Sequence, residues 1–592
     1  MLPAPRPSRI FKFGVFEADF EAGELRKSGM RQRLTGQPFQ VLQLLLERPQ
    51  EVVTREELQK SIWPKDTFVD YELALKKAVN RIREVLGDSA ESPRFIATIP
   101  RRGYRFIAAV EELRNGARVA AVPAARTVDS IVVLPFTNMS ADPENEFFAD
   151  GITEEIINAL AQINELHVVA RSSAFSFKGK HIDPRVVGEQ LNVRTVLEGS
   201  VRRSDNRLRI TVQLVNAADG YHLWSERYDR EMKDVFDIQD EIARSVAERL
   251  KITLEGGGQE RLVKAGTKNL EAYQLYVKGR VLLARRGPAV EYLDCFERAV
   301  KLDPNYAQAW AGLADSYTVL GYSGLVHPQT CMPKGMEAAR RAVALDPSRA
   351  EAHSALAMAS LMGAWDRAEA EREFLRALEL NPRYIQARDW YALFFLQYSE
   401  GRLKEGAAEA KLALKSDPLS SYAHSVFSCT CAMAAKHEEA VKSSRRAVEL
   451  DSQSYLARVI LQAILYFSGR FEESAAVGEA ALAMSGRHAW SMAHLALAFA
   501  DSGKPADADA VYSEMLARAR RQYVPPVTLA LAAAATARED EAVRHAREAV
   551  DIRDPHCQYL FSKYWPASAR LYAYPRFREI IASVGRSDWL RD

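Results

Sequence analysis

The chain has 592 residues, 47% of them hydrophobic and 27% charged, with a formal net charge of +2, the balance of a multidomain globular protein rather than a disordered or fibrous one. So small a net charge excludes a uniformly basic surface, and any contact with nucleic acid must come from local clusters of cations. The five cysteines, Cys295, Cys331, Cys429, Cys431 and Cys557, are odd in number and scattered, which favours reduced thiols over a disulfide framework, and Cys429 and Cys431 lack the second ligand pair of a zinc site.

The opening MLPAPRPSRIFKF has proline and arginine where a signal peptide needs an apolar core, and no apolar run reaches the roughly 18 to 20 residues of a membrane helix. A cytoplasmic chain without a membrane partner is expected. IFKFGVFEADF and GELRKSGMRQRLT alternate as a small antiparallel sheet does. QPFQVLQLLLERPQ sets Phe39, Leu42, Leu45 and Leu46 on one helical face, and Thr54 with Glu57 three residues later forms a capping box at the start of a second helix. In YELALKKAVNRIREVL, Leu75, Ala78, Val79, Ile82 and Leu86 make a buried stripe, while Lys76, Lys77, Asn80 and Arg81 fall on the other face. FIATIPRRGYRFI reads as two short strands around a basic turn, with Gly103 supplying the turn and Tyr104 packing the hairpin. Residues 1–110 hold 19 Lys plus Arg against 14 Asp plus Glu, so this stretch is more basic than the whole. Cations gain by releasing counterions from phosphate, and an asparagine amide can pair with the edge of adenine. On charge alone, the same cations also fit the solvated face of an amphipathic helix.

The order sheet, three helices and hairpin, carried by VTREELQKSIWP, ALKKAVNRIREVLGD and IATIPRRGYRFIA, resembles the winged helix-turn-helix output domain of OmpR- and PhoB-type regulators over residues 8–110. The resemblance implies a third helix in the major groove and a wing on the minor groove or backbone. Lys76, Lys77, Asn80 and Arg81 would face DNA, Arg101 and Arg102 would sit on the wing, and Thr54 with Arg55 would meet a phosphate at a helix N-terminus. The segment holding Trp63, Lys65, Asp66 and Asp70 matches the loop such regulators offer to RNA polymerase, although Trp63 by itself reads as core. With this unit starting about ten residues from Met1, no receiver is expected before it. That order is similar to CadC- and HilA-like regulators, and the linker at 111–127, with three arginines, cannot span a membrane.

Residues 128–252 alternate strands and helices: SIVVLPF, EFFADGITEEIINALAQI, LHVVARS, DPRVVGEQLN, a run of strands with turns at Ser204 to Asn206 and at Asp219-Gly220, and VFDIQDEIARSVAERLKI. LPF, FFADGITEEI and LEGSVRR resemble the TolB N-terminal-like domain, which implies a mixed α/β fold. Asp150, Glu154 and Glu155 read as acids at a helix N-terminus rather than as a catalytic pair. His167, His181 and His222 lack metal-ligand spacing, and Gly256 to Gly258 lacks the Lys-Ser/Thr of a phosphate loop. No cofactor, no metal and no enzymatic activity are expected.

Beyond residue 269 one position recurs at Tyr292, Gly335, Ala370, Gly406, Ala440, Ser474, Ala508 and Ala542, every 34 residues from Gly406 onward. Seven of the eight are small, as the close crossing in a stacked helix pair requires. Pro304, Pro347, Pro382 and Pro418 follow second helices that they cannot continue. The pattern resembles tetratricopeptide repeats, about eight of them over 269–554, with capping helices over 555–592 and a closing amphipathic helix in LYAYPRFREIIASVG. The step from Tyr292 to Gly335 is nine residues too long, and SGLVHPQTCMP reads as the extra inter-helix loop. Tyr391, Phe395, Tyr398 and Tyr466, with Cys429 and Val459, fall at groove-facing positions suited to an extended or helical peptide, or else pack between helices.

The expectation is a multidomain α+β chain: an N-terminal winged helix, a central mixed α/β domain and a C-terminal all-α tetratricopeptide superhelix. Its expected function is sequence-specific transcriptional regulation, with double-stranded promoter DNA, RNA polymerase, a protein held by the repeats and a second copy of the chain as partners. The competing readings are a scaffold whose winged helix binds protein, and a central domain that binds a small molecule or acts as an enzyme.

Overall fold

A computed structural model describes residues 9–13, 16–20, 23–27, 30–32, 34, 36–62, 71–89, 93, 95–99, 102–108, 110–114, 129–142, 144–163, 166–180, 182–204, 206–250, 266–284 and 289–590. They fall in two compact units, Met1–Thr127 and Val128–Asp592.

In the first unit, strands Met30–Gln32, Glu24–Lys27, Phe16–Asp19, Arg9–Phe13 and Glu111–Arg114 form one antiparallel sheet in that order. Glu111–Arg114, read from sequence as linker, is thus an edge strand, with Leu113 opposite Ile10. A single leucine among charged residues shows no alternation, and only a distant partner makes this segment a strand. Helices Gln37–Leu46, Arg55–Ile62 and Tyr71–Leu86 follow the first four strands. A second sheet places Gly103–Phe106 between Val52–Thr54 and Ile96–Ile99. In the core Phe13 meets Phe106, and Phe16 meets Phe95, edge to face, with the Phe13 and Phe106 centroids 5.1 Å apart.

The second unit opens with a mixed sheet in which Leu166–Val168, Asp129–Val133 and Thr195–Ser204 run parallel, and Arg207–Asn216 and His222–Glu231 continue antiparallel. Its helix Asn145–Ala161 rides directly on the first repeat helix, Leu270–Ala284. A Cβ on Gly151 would come within 2.1 Å of Val277 Cγ1, so only glycine permits this approach. One core runs from Ile131 through Tyr273 to Ala359, and the sequence boundary at 252–269 is no break in packing. Polar ties add to it: Gln239 Nε2 donates to the Tyr273 hydroxyl at 2.9 Å, and the Ser173 N–H and Oγ donate to Asp417 at 2.9 and 2.6 Å.

From Leu270–Ala284 to Glu539–Asp551 the described helices pair into eight hairpins. Each residue of the recurring beat sits buried on a second helix. At Gly406 a Cβ would meet Gln397 Cγ at 2.4 Å and the Ala392 carbonyl at 2.7 Å, which explains why the position stays small. Two irregular steps also gain a cause. The beat lengthens to 35 residues before Ala370 and 36 before Gly406, and the first helices of those hairpins end in π-helical stretches, Ser360–Ala364 and Tyr391–Ser399. Wider turns absorb inserted residues without breaking the helix. The nine extra residues before Gly335 are not a long loop either: Ala307–Tyr322 is followed by Pro328–Leu345, which begins with Pro328 and carries Pro333 inside it. The closing helix Pro575–Ser583 buries Phe577, Ile580 and Ile581. Just before it the chain packs against first helices of the repeats, with the Tyr559 and Tyr398 rings 4.5 Å apart, edge to face.

Candidate nucleic-acid interface

Helix Tyr71–Leu86 divides as its periodicity requires. Leu75, Ala78, Val79, Ile82 and Leu86 are at most 4% exposed, and Lys76, Lys77, Asn80 and Arg81 are all exposed. One guanidinium nitrogen of Arg81 is paired with Glu84 at 2.5 Å. Arg83, passed over in the sequence, borders the stripe four residues after Val79. It is buried, donating from Nη2 to the Ile96 carbonyl at 2.8 Å and to Thr98 Oγ1 at 2.9 Å, and so pins the helix to the first wing strand. Its spacing from Val79 was the available signal.

The capping box forms. The Thr54 N–H donates to Glu57 at 2.8 Å and the Glu57 N–H donates to Thr54 Oγ1 at 3.2 Å. The Thr54 N–H, then its hydroxyl and Arg48, hold the Glu57 carboxyl below its ordinary range. Because the hydroxyl also donates to Glu57 at 2.8 Å, the side chain of Thr54 is occupied in fixing the helix start. The Arg55 N–H donates to the Arg102 carbonyl at 3.1 Å, and the Tyr71 hydroxyl donates to the Arg55 carbonyl. Thr54, Arg55 and exposed Arg102 therefore converge where the second helix, the third helix and the wing meet. Arg101, and the segment with Trp63, Lys65, Asp66 and Asp70, lie outside the described residues.

Gly103 has a different role from the turn expected of it. It opens the second wing strand, and a Cβ there would come 2.1 Å from the Val53 carbonyl oxygen of the neighbouring strand. Close strand approach, not a positive φ, demands glycine.

In the second unit the groove residues separate. Tyr398 borders a cavity together with Cys429 and Val459. Tyr391 instead stacks on Phe395 with centroids 5.6 Å apart, and both pack on Phe374. Tyr466 donates its hydroxyl to Asp501 at 2.8 Å and packs on Phe471. Tyr391, Phe395 and Tyr466 are consequently inter-helix packing and do not line an open groove.

The central acids are also placed differently. The helix begins at Asn145, so Asp150, Glu154 and Glu155 lie inside it and owe nothing to its N-terminal dipole. Asp150 is fully buried and paired with Lys178; Glu154 is clamped by Arg171 at 2.8 Å and Arg280 at 3.3 Å. Burial, then the neighbouring Glu154, raises the Glu155 carboxyl to about 7. All five cysteines are buried and free. Among the described residues, no group of three or more His, Cys, Asp or Glu is arranged to hold a metal, and no helix is long and apolar enough to cross a membrane.

A basic helix over an apolar stripe, a capped helix before it and a hairpin wing after it define a winged-helix DNA-binding domain, of the OmpR/PhoB type by sequence. Residues 29–106 match the model for "Transcriptional regulatory protein, C terminal", and residues 127–245 match "HilA/YgeH-like transcriptional regulator, second domain". The chain is 42% identical over 246 residues, 40% of its length and 42% of the relative's, to a Rhizobium meliloti (strain 1021) protein named "Putative adenylate cyclase 3". It is 41% identical over 81 residues, 14% of its length and 28% of the relative's, to the cholera toxin homolog transcriptional activator of Vibrio parahaemolyticus. To the transcriptional regulator HilA of Salmonella typhimurium it is 22% identical over 426 residues, covering 70% of this chain and 72% of HilA. The chain thus spans less than half the length of the first two of these relatives.

Proposed function

We propose that the chain is a cytoplasmic transcriptional regulator that inserts helix Tyr71–Leu86 into the major groove of promoter DNA. The observation that carries this reading is the exposed Lys76, Lys77, Asn80 and Arg81 face on a helix locked from below by its buried stripe and Arg83. Lys77 and Arg81 serve phosphate, Asn80 reads a base edge, and Arg102 beside the start of the second helix holds the neighbouring backbone. RNA polymerase, met through the 63–70 segment, and a second copy on a tandem half-site are the partners this reading requires. The regulatory names of both matched models support it, as does the length over which the chain aligns with HilA. The repeats receive the input, and the chain performs no catalysis of its own.

Fluorescence anisotropy of the full chain on promoter duplexes tests the reading. If about six phosphates are neutralised, affinity falls by roughly three orders of magnitude between about 50 and 200 mM salt. A complex insensitive to salt removes the phosphate contacts, and cyclic nucleotide formation from ATP by the purified chain overturns the non-catalytic reading.

A further inference from the structure

The mixed sheet of the second unit ends in strand His222–Glu231, and among the described residues only Arg207–Asn216 pairs with it. A long bare edge is a template for a further strand, which folded proteins blunt with brevity, proline or a bulge. This one is ten residues long and has no proline, and its register shift lies at Leu214 and Val215, so that 225–231 stays regular. The Met232 N–H donates to the Asn206 carbonyl at 2.9 Å, and successive residues of an antiparallel strand turn their backbone groups to alternate sides. The N–H and C=O of Ser225, Arg227, Asp229 and Glu231 therefore face the open side. Ser225, Glu226, Arg227 and Arg230 are exposed, and Tyr221 and Leu223, 75% and 49% exposed, add apolar surface at the start of the edge.

The edge is complementary to itself in one register. Two copies running antiparallel about a two-fold axis at Tyr228 set Glu226 opposite Arg230 and Arg227 opposite Asp229, each pair twice. Moving the axis by one residue, to Arg227 or to Asp229, brings like charges face to face. Opposite charges across a strand pair stabilise it and like charges oppose it. Asp229 already holds Arg207 and Arg209, each at 2.7 Å, so Glu226 with Arg230 is the pair that selects the register.

We propose that strand His222–Glu231 pairs with the same strand of a second copy of the chain, antiparallel about Tyr228, and joins two sheets into one. This names the surface for the second copy that the tandem half-site reading requires, and it rests on that reading for its use on DNA. An overlap of 225–231 alone makes a weak, reversible dimer, which two half-sites on one duplex would concentrate.

Sedimentation equilibrium of the full chain without DNA tests the pairing. The parent is expected to dimerise reversibly below about 100 µM. Glu226→Arg or Arg230→Glu alone sets like charges together twice in each dimer and weakens association by about tenfold, whereas the two together restore it to within about threefold of the parent. Arg227→Pro removes an outward N–H and spares the ladder to Arg207–Asn216, so association is lost while the fold stays. The proposal is overturned if the parent remains a monomer, if the single reversals associate as the parent does, or if the double variant, folded by circular dichroism, fails to recover. Should a reversal unfold the chain, Arg227→Pro decides, and a dimer as tight as the parent's overturns the pairing. No DNA enters these measurements, so this proposal and the DNA-binding reading fail separately.

Discussion

Helix Tyr71–Leu86 and the helices around the cavity carry their chemistry on opposite kinds of surface. In the first, the apolar stripe is buried as support, and Lys76, Lys77, Asn80 and Arg81, the residues we propose meet DNA, stand on the exposed face. In the repeats, a first helix such as Ser421–Met433 is buried almost all round, from Ala423 through Cys429 to Met433. Its period vanishes because both sides are inside. A residue that lines a cavity and one that fills a core then have the same side-chain chemistry, and only the fold separates Tyr398, beside the cavity, from Tyr391, stacked on Phe395. An exposed helical face is therefore readable from a sequence, while an internal cavity is not.

The strongest way to break this contrast is to disturb the support of the exposed face. Gly103→Ala forces a Cβ against the Val53 carbonyl, and overpacking of this kind costs about 3 kcal/mol, so the urea midpoint of the N-terminal unit drops and duplex affinity falls with it. An unchanged midpoint contradicts the close strand approach. On the face itself, Lys77→Ala weakens all duplexes alike by roughly tenfold, whereas Asn80→Ala costs about 1–3 kcal/mol only against the preferred base. Competition binding with single-base variants separates them, and an identical profile for both would remove base reading by Asn80.

What could be read in advance follows the same division. The stripe Leu75 to Leu86, the Thr54–Glu57 cap and the small-residue beat depend on neighbours in sequence, and each is found in the fold. Glu111–Arg114, Gly103 and Arg83 depend on partners 13 to 105 residues away, as when Arg83 bonds Ile96 or Arg114 pairs with Arg9, and apart from the spacing of Arg83 from Val79 no local pattern marks them. The acids at 150–155 read as N-terminal from their sequence alone, whereas the helix starts at Asn145 and they lie one to three turns inside it. Their real partners, Lys178, Arg171 and Arg280, come from other elements.

The smallest expected effect lies in the second unit, at Glu155. A carboxyl raised to about 7 in the fold favours folding fully below its unfolded pKa and loses that advantage as pH climbs through 7. Glu155→Gln removes the dependence, so relative to the parent its Tm is unchanged at pH 5 and higher by about 2 °C at pH 8. Differential scanning calorimetry at the two pH values checks this, and a variant destabilised more at pH 8 than at pH 5 reverses the sign.

The most direct measurement is selection of duplexes from a random pool by the full chain, repeated with Asn80→Ala. Enrichment of a defined sequence by the parent, with relaxed preference at one position in the variant, is the expected result. Equal recovery of all duplexes by the parent, even at low ionic strength, contradicts the insertion of helix Tyr71–Leu86 into DNA.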